Sequence, residues 1–233
     1  MQKLFGKKAL LDNLDSNNIV EVKLINQDKN IISKLNSKNI KYSIVDKSFF
    51  KEFEKELNHQ GIITYIKSNS KYSSLEEFLS VEHKKSLILI VDSIEDPYNF
   101  GAILRTSDAM GVDAVIYKKD NQVQINDYVI KSSMGAINNI NLFKVTNLAT
   151  CLEKIKASGY WVYSSALSTN SVSYNSLDYD DKTVLVVGNE NKGISKIVLD
   201  NSDFIVNIPM HGKVQSLNVS VATGILLSRI KNK

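Results

Sequence analysis

Ser86-Leu87-Ile88-Leu89-Ile90-Val91-Asp92 sets a continuous apolar run between two polar residues. A strand of that composition has to be covered on both faces, as strands inside parallel sheets are. Ser93-Ile94-Glu95-Asp96-Pro97-Tyr98-Asn99-Phe100-Gly101-Ala102-Ile103-Leu104-Arg105-Thr106 follows, small and polar at first and then helical in spacing. Toward the C-terminus strand patterns return at Ala114 to Tyr117, Ile140 to Val145, Tyr160 to Tyr163, Thr183 to Val187 and Phe204 to Ile208. Helical patterns alternate with them, and a last helix runs from about Leu217 to Ile230. Such alternation predicts an α/β fold on a parallel sheet, here spanning residues 85–233.

In the other direction the run is preceded by Lys67-Ser68-Asn69-Ser70-Lys71-Tyr72-Ser73-Ser74, a polar stretch, and by a short helix from Leu75 to Leu79. Residues 69–84 are therefore expected to link two domains. Residues 1–68 read as a small α/β unit. Ala9, Leu10 and Leu14 share a helix face between Gly6 and Asp15, and Ile19 to Ile25 alternates as a strand. A helix over Asn30 to Asn39 and a strand at Tyr42 to Val45 come next, then a helix over Phe49 to Phe53 entered through Ser48. Ile62 to Ile66 completes the unit as a strand. No internal repeat is visible.

The composition narrows the chemistry. With 43% hydrophobic and 23% charged residues the chain reads as globular. No window approaches the roughly 18 apolar residues of a membrane span. The N-terminus lacks a secretory apolar core, so a cytoplasmic protein is expected. Cys151 is the only cysteine and the three histidines are far apart, which excludes a cysteine-based metal site and gives no sign of another. Cys151 lies on an amphipathic helical pattern and reads as a buried structural thiol. The net charge of +4 is compatible with a nucleic-acid partner. Nearly all of the basic residues are lysines, and Arg105 and Arg229 are the only arginines.

Parallel sheets place ligands beyond the carboxyl ends of their strands. Three segments rich in Gly, Asn and small polar residues occupy such ends. One is Asp92 to Thr106. The second is Val187-Gly188-Asn189-Glu190-Asn191-Lys192-Gly193-Ile194-Ser195, and the third Ile208-Pro209-Met210-His211-Gly212-Lys213-Val214-Gln215-Ser216-Leu217-Asn218-Val219-Ser220. Gly188 to Gly193 has the glycine spacing of a phosphate-binding loop, but Ile194 stands where that loop requires lysine. Glu190 would repel a phosphate, and no G-x-G-x-x-G is present. The loop suits a neutral or cationic ligand.

In order, spacing and position after strands, the three segments resemble the three motifs of the SpoU/TrmH family, in the SPOUT class of knotted methyltransferases. Ile-Pro-Met-x-Gly-x-x-x-Ser-Leu-Asn-Val-Ser-Val-Ala is the most specific of them. Gly6 at a helix start and His59-Gln60-Gly61-Ile62 before a strand resemble the RlmB-like branch, which modifies a guanosine of large-subunit ribosomal RNA. The resemblance implies a deep trefoil knot in the C-terminal domain, a small N-terminal RNA-binding domain, a homodimer and S-adenosylmethionine as cofactor. It implies cofactor contacts at Gly188, Ile208 and Leu217, largely through backbone atoms. It also implies transfer of a methyl group to a ribose 2′-hydroxyl, with Arg105 at the reacting centre and Asn99, Glu190, Ser216 and Asn218 orienting it and the nucleotide.

Arginine stays protonated below a pKa of about 12, so Arg105 suits a clamp on phosphate and developing oxyanion better than a base. Each residue also has a plainer reading. Asn99 alone is a helix cap, Glu190 a solvated loop acid, Ser216 and Asn218 caps of the last helix, and Arg105 a surface ion-pair residue. Tyr98 departs from the histidine common in the family, Phe100 from a leucine, Met134 from a smaller residue, and Asn191 from a glycine. Asparagine tolerates the left-handed conformation such a glycine supplies. Two other functions remain open on sequence: methylation of transfer RNA, and a non-catalytic RNA-binding or ribosome-assembly role.

Overall fold

The computed structural model describes residues 2–53, 59–67 and 70–232. Its sheets are two. In the N-terminal unit β1 (Gln2–Phe5), β2 (Ile19–Leu24), β3 (Tyr42–Ile44) and β4 (Ile62–Ile66) form a four-stranded sheet in the order β1-β4-β2-β3. β4 runs antiparallel to both β1 and β2, and β3 lies parallel to β2. Helices α1 (Lys7–Asp12) and α2 (Lys29–Ser37) cover one side. Leu10, Val22, Leu24, Ile31, Leu35 and Ile62 make the core beneath them. Asp28 caps α2 by accepting from the backbone N–H groups of Asn30 and Ile31. The helix expected after Ser48 is instead a 3₁₀ turn at Lys47–Glu52, entered at Asp46 without a side-chain cap. β1 was not expected, because its partner β4 lies some sixty residues along the chain and local pattern carries no trace of that pairing.

The second sheet is seven-stranded and every pairing in it is parallel. Its strands are β5 (Ser86–Asp92), β6 (Ala114–Lys118), β7 (Asn141–Val145), β8 (Trp161–Ser165), β9 (Val172–Ser173), β10 (Lys182–Gly188) and β11 (Phe204–Asn207). They lie in the order β7-β6-β5-β10-β8-β11-β9. All of β5 is buried, as its apolar run requires. The register aligns Asp92 with Gly188, so the carboxyl ends of β5 and β10 emerge side by side.

Alternation along these strands feeds two cores. Leu87, Leu89, Val91, Val115, Leu185 and Val187 join α4 (Pro97–Ala109), α5 (Asp127–Ser132) and α8 (Val219–Lys231). Ile88, Ile90, Ala114, Ile116, Val184 and Val186 join α3 (Leu75–Ser80), α6 (Leu148–Ala157) and α7 (Lys196–Asp200). Gly101 permits the close approach of α4 to α5, since a Cβ there would lie 1.8 Å from the Ser132 hydroxyl. Leu4, Phe5, Ile63 and Ile66 of the N-terminal sheet belong to the same core as α4 and α8, so the two sheets are joined by continuous apolar packing. In the segment expected as a linker, Leu75 and Phe78 of α3 are buried. The expected boundary at residues 68 and 69 lies outside the described residues.

Candidate active site

The site lies where β5 and β10 end. α4 begins within a few residues of β5, with Asp96 as its cap accepting from the N–H groups of Tyr98 and Asn99, and Pro97 in its first turn. Asn99 is therefore inside the helix, not its cap as the plainer reading had it. Beyond β10 the chain folds into a small loop closed by Asn189 and Gly193, whose backbones exchange hydrogen bonds of 3.1 and 2.9 Å. Gly188 has to be glycine: a Cβ would sit 2.6 Å from the backbone of Gly193. Gly193 takes the left-handed conformation (φ 69°), whereas Asn191 does not, so the asparagine at 191 needs no conformational excuse.

This loop and the segment after β5 are tied together at three points. Asn99 Nδ2 donates to Glu190 Oε1. Lys192 Nζ pairs with Glu95 at 2.8 Å. Asn189 Nδ2 donates to the carbonyl of Ser93 at 2.9 Å. The third segment joins through Asn218, whose Nδ2 donates to Asn99 Oδ1 at 3.0 Å. Its own Oδ1 caps α8 by accepting from Ser220 N at 2.9 Å. Glu190, Asn99 and Asn218 thus form one chain of hydrogen bonds that links all three segments. Asn218 is both cap and member of that chain.

Next to it opens a cavity of about 420 Å³. Gly188, Ile208 and Leu217 line it, with Glu190 and Ser216 at the same wall. Seven of the eight residues singled out from sequence are accounted for by the cavity and the hydrogen-bond chain. Arg105 stands apart: it is exposed and makes no hydrogen bond or ion pair among the described residues. Ser216 is exposed and makes no helix-capping bond, so capping is not its role. Sequence reasoning passed over Ala166 and Leu167, which form the cavity wall beyond β8. The strand-end rule that found the other segments would have found this one, but Ala166 and Leu167 are themselves apolar and carry no polar side chain to attract notice.

Arg229, the other arginine, is held. Its guanidinium donates to the Leu177 carbonyl at 2.9 Å and lies 5.6 Å from the Tyr179 ring centroid. It fastens the segment before β10 to α8. Among the described residues no cluster of His, Cys, Asp and Glu is able to hold a metal ion, and no helix is long and apolar enough to cross a membrane.

Residues 86–228 match the model of the SpoU rRNA Methylase family, and residues 3–72 that of the RNA 2′-O ribose methyltransferase substrate-binding domain. The chain belongs to the SpoU/TrmH family of RNA methyltransferases. A relative from Mycoplasma genitalium, named an uncharacterized tRNA/rRNA methyltransferase, is 40% identical and is matched over 98% of this chain and 96% of its own. A putative TrmH family tRNA/rRNA methyltransferase of Staphylococcus saprophyticus is 40% identical over 75% of this chain and 71% of its own. Among solved structures, the AdoMet-bound rRNA methyltransferase of Sinorhizobium meliloti superposes with a TM-score of 0.78 at 23% identity, over 99% of this chain and 86% of that one. The A. aeolicus TrmH/SpoU tRNA-modifying enzyme gives 0.58 at 36% identity over 66% of this chain and 78% of that one. Of the three segments that resemble the family's motifs, the second and third line the cavity and the first is tied to them through Asn99.

Proposed function

We propose that this enzyme transfers a methyl group from S-adenosylmethionine to a ribose 2′-hydroxyl of RNA, and that its target is a guanosine of large-subunit ribosomal RNA. The observation that carries the reading is the Glu190–Asn99–Asn218 chain beside the cavity lined by Gly188, Ile208 and Leu217. The cavity fits the cofactor. Its volume lies in the range of small-molecule sites. Gly188 leaves backbone open where any side chain would collide. The lining is mostly apolar, Glu190 is its one carboxylate, and its one lysine, Lys192, is engaged by Glu95. Such a surface accepts a nucleoside and a cationic centre more readily than a phosphate.

When bound, S-adenosylmethionine supplies an activated methyl group; the rest falls to the protein and the RNA. The backbone of Gly188, Ile208 and Leu217 would hold the cofactor. Asn99 and Asn218, fixed through Glu190, would orient the ribose, with Ser216 available at the cavity wall. Arg105 would clamp phosphate and stabilise charge developing on the 2′-oxygen, in the two-pronged geometry a lysine does not copy. Its exposure and freedom from partners within the chain support a site completed across a homodimer. Tyr98 and Val221, both about half exposed on α4 and α8, support the same contact. A trefoil knot at the third segment accords with the return of α8 to pack against α4 and β10.

Residues 1–68 hold twelve lysines against eight acidic residues, so they carry the whole net charge of +4. That supports an RNA-binding unit ahead of a near-neutral catalytic domain at 85–233, with 69–84 between them. Incubating pure protein with methyl-labelled cofactor and separate pools of ribosomal and transfer RNA tests the reading. Label is expected in a 2′-O-methylguanosine of large-subunit RNA. Label in transfer RNA alone would replace the substrate, and no transfer to any RNA would leave only a binding role.

A further inference from the structure

Asp92 ends β5 with a fully buried carboxylate that the transfer chemistry does not call for. A buried charge is costly and persists only where its partners repay the lost hydration. Oδ2 accepts the backbone N–H of Ser195 at 2.8 Å. Oδ1 accepts the Ser93 hydroxyl at 2.9 Å and faces the Lys118 ammonium at 3.5 Å. Burial by itself raises the Asp92 pKa, but the bonds from Ser195 and Ser93 and the charge of Lys118 outweigh it and hold the carboxyl below its ordinary value.

Ser93, next in the chain, is bent into the left-handed region (φ 65°), which a non-glycine residue adopts only under constraint. The bend presents its carbonyl to Asn189 at 2.9 Å. Two consecutive residues at the end of β5 therefore grip both ends of the loop after β10, Asn189 at its start and Ser195 at its finish. Between the grips Asn189 Oδ1 accepts the N–H groups of Asn191 at 2.8 Å and Lys192 at 3.0 Å. The loop so fixed, from Gly188 to Ile194, is a wall of the cavity.

We propose that Asp92 is a positioning residue for cofactor binding: by holding Ser195 it sets the backbone of Gly188 to Ile194 in the shape the cofactor meets. The proposal rests on the cavity being the S-adenosylmethionine site. Asp92 is fully buried and does not line the cavity, so its loss is expected to raise the KM for the cofactor and leave kcat at saturation in place. A residue that merely stabilised the fold would lower Tm without that split.

The test uses the full chain, titration calorimetry with S-adenosylmethionine, and steady-state kinetics with the cofactor varied at saturating RNA. Asp92→Ala is expected to raise Kd and KM for the cofactor tenfold or more, with kcat within twofold of wild type. Asp92→Asn keeps an oxygen for the Ser195 N–H and is expected to recover part of the loss. Ser195 has φ −61°, which proline adopts without strain, so Ser195→Pro deletes the donated N–H and reproduces the KM effect even if Asp92→Ala does not fold. Unchanged KM in Asp92→Asn and Ser195→Pro, or a fall in kcat alone, overturns the proposal. Leu217→Arg, in the cavity wall, separates the two readings. If it abolishes cofactor binding while the Asp92 and Ser195 variants bind normally, only the positioning role is lost; if it leaves binding intact, the cavity is not the cofactor site.

Discussion

On β5, Leu87, Leu89 and Val91 join one core with α4, α8 and the N-terminal sheet, while Ile88 and Ile90 join another with α3, α6 and α7. The strands supply both faces with the same aliphatic side chains, and a period of two residues divides them. The helices differ. The first face carries α4 and α8, on which Asn99 and Arg105 sit and which Asn218 caps, and it receives the basic N-terminal unit. The second face holds Cys151, Leu152 and Ile155 of α6 over the middle of the sheet and contributes Ile194 to the loop after β10. The groups proposed to act on the ribose lie on one side of the sheet, whereas the cavity draws Ile194 and Leu199 from the other.

That division can be broken most directly at Arg105. Arg105→Ala is expected to lower methyl transfer by at least ~100-fold, the cost of losing a charge-stabilising donor. Cofactor binding and Tm should stay near wild type, and Arg105→Lys should not restore the rate. Turnover near normal in either variant would remove the first face's claim to the reaction. RNA affinity probes the basic unit next. Neutralising Lys8, Lys29 and Lys34, all exposed on the N-terminal unit, with glutamine should raise the RNA KM several-fold and flatten its dependence on salt. Lys154→Gln, on α6 of the second face, should change neither; a matching effect there would blur the contrast.

The two arginines make a finer comparison within the first face. Arg229→Ala should cost about 1–2 kcal/mol of stability, from a charge-assisted hydrogen bond and a ring contact, with kcat unaltered. Chemical denaturation and kinetics on one preparation measure both, and a large loss of kcat without a loss of stability would reverse the roles given to the pair. The smallest effect belongs to the second face. Burial pushes the Cys151 thiol up to about 12, so the thiolate is scarce from pH 7 to 9. Native protein should remain unlabelled by thiol reagents in that range and react once unfolded. Rapid native labelling would show that the second face opens.

Much of this protein was legible in its residues. The β5 run, the alternating strands and the last helix fixed a parallel α/β sheet, because burial on two faces leaves an unbroken apolar stretch. Gly188, Asn99 and Asn218 stood out as small polar residues at strand ends, and the family motifs gave them company. Local pattern did not reveal β1, whose four residues find their partner far along the chain. Nor did it reveal that the linker segment is packed through Phe78, or that Asn99 lies within its helix while Asp96 caps it. The Glu190–Asn99–Asn218 chain and the grip of Asp92 on Ser195 belong wholly to the tertiary structure. Both join residues about ninety to one hundred and twenty positions apart. Composition and periodicity specify which surface a residue seeks; only the register of β5 on β10, Asp92 beside Gly188, decides which polar groups meet when it gets there.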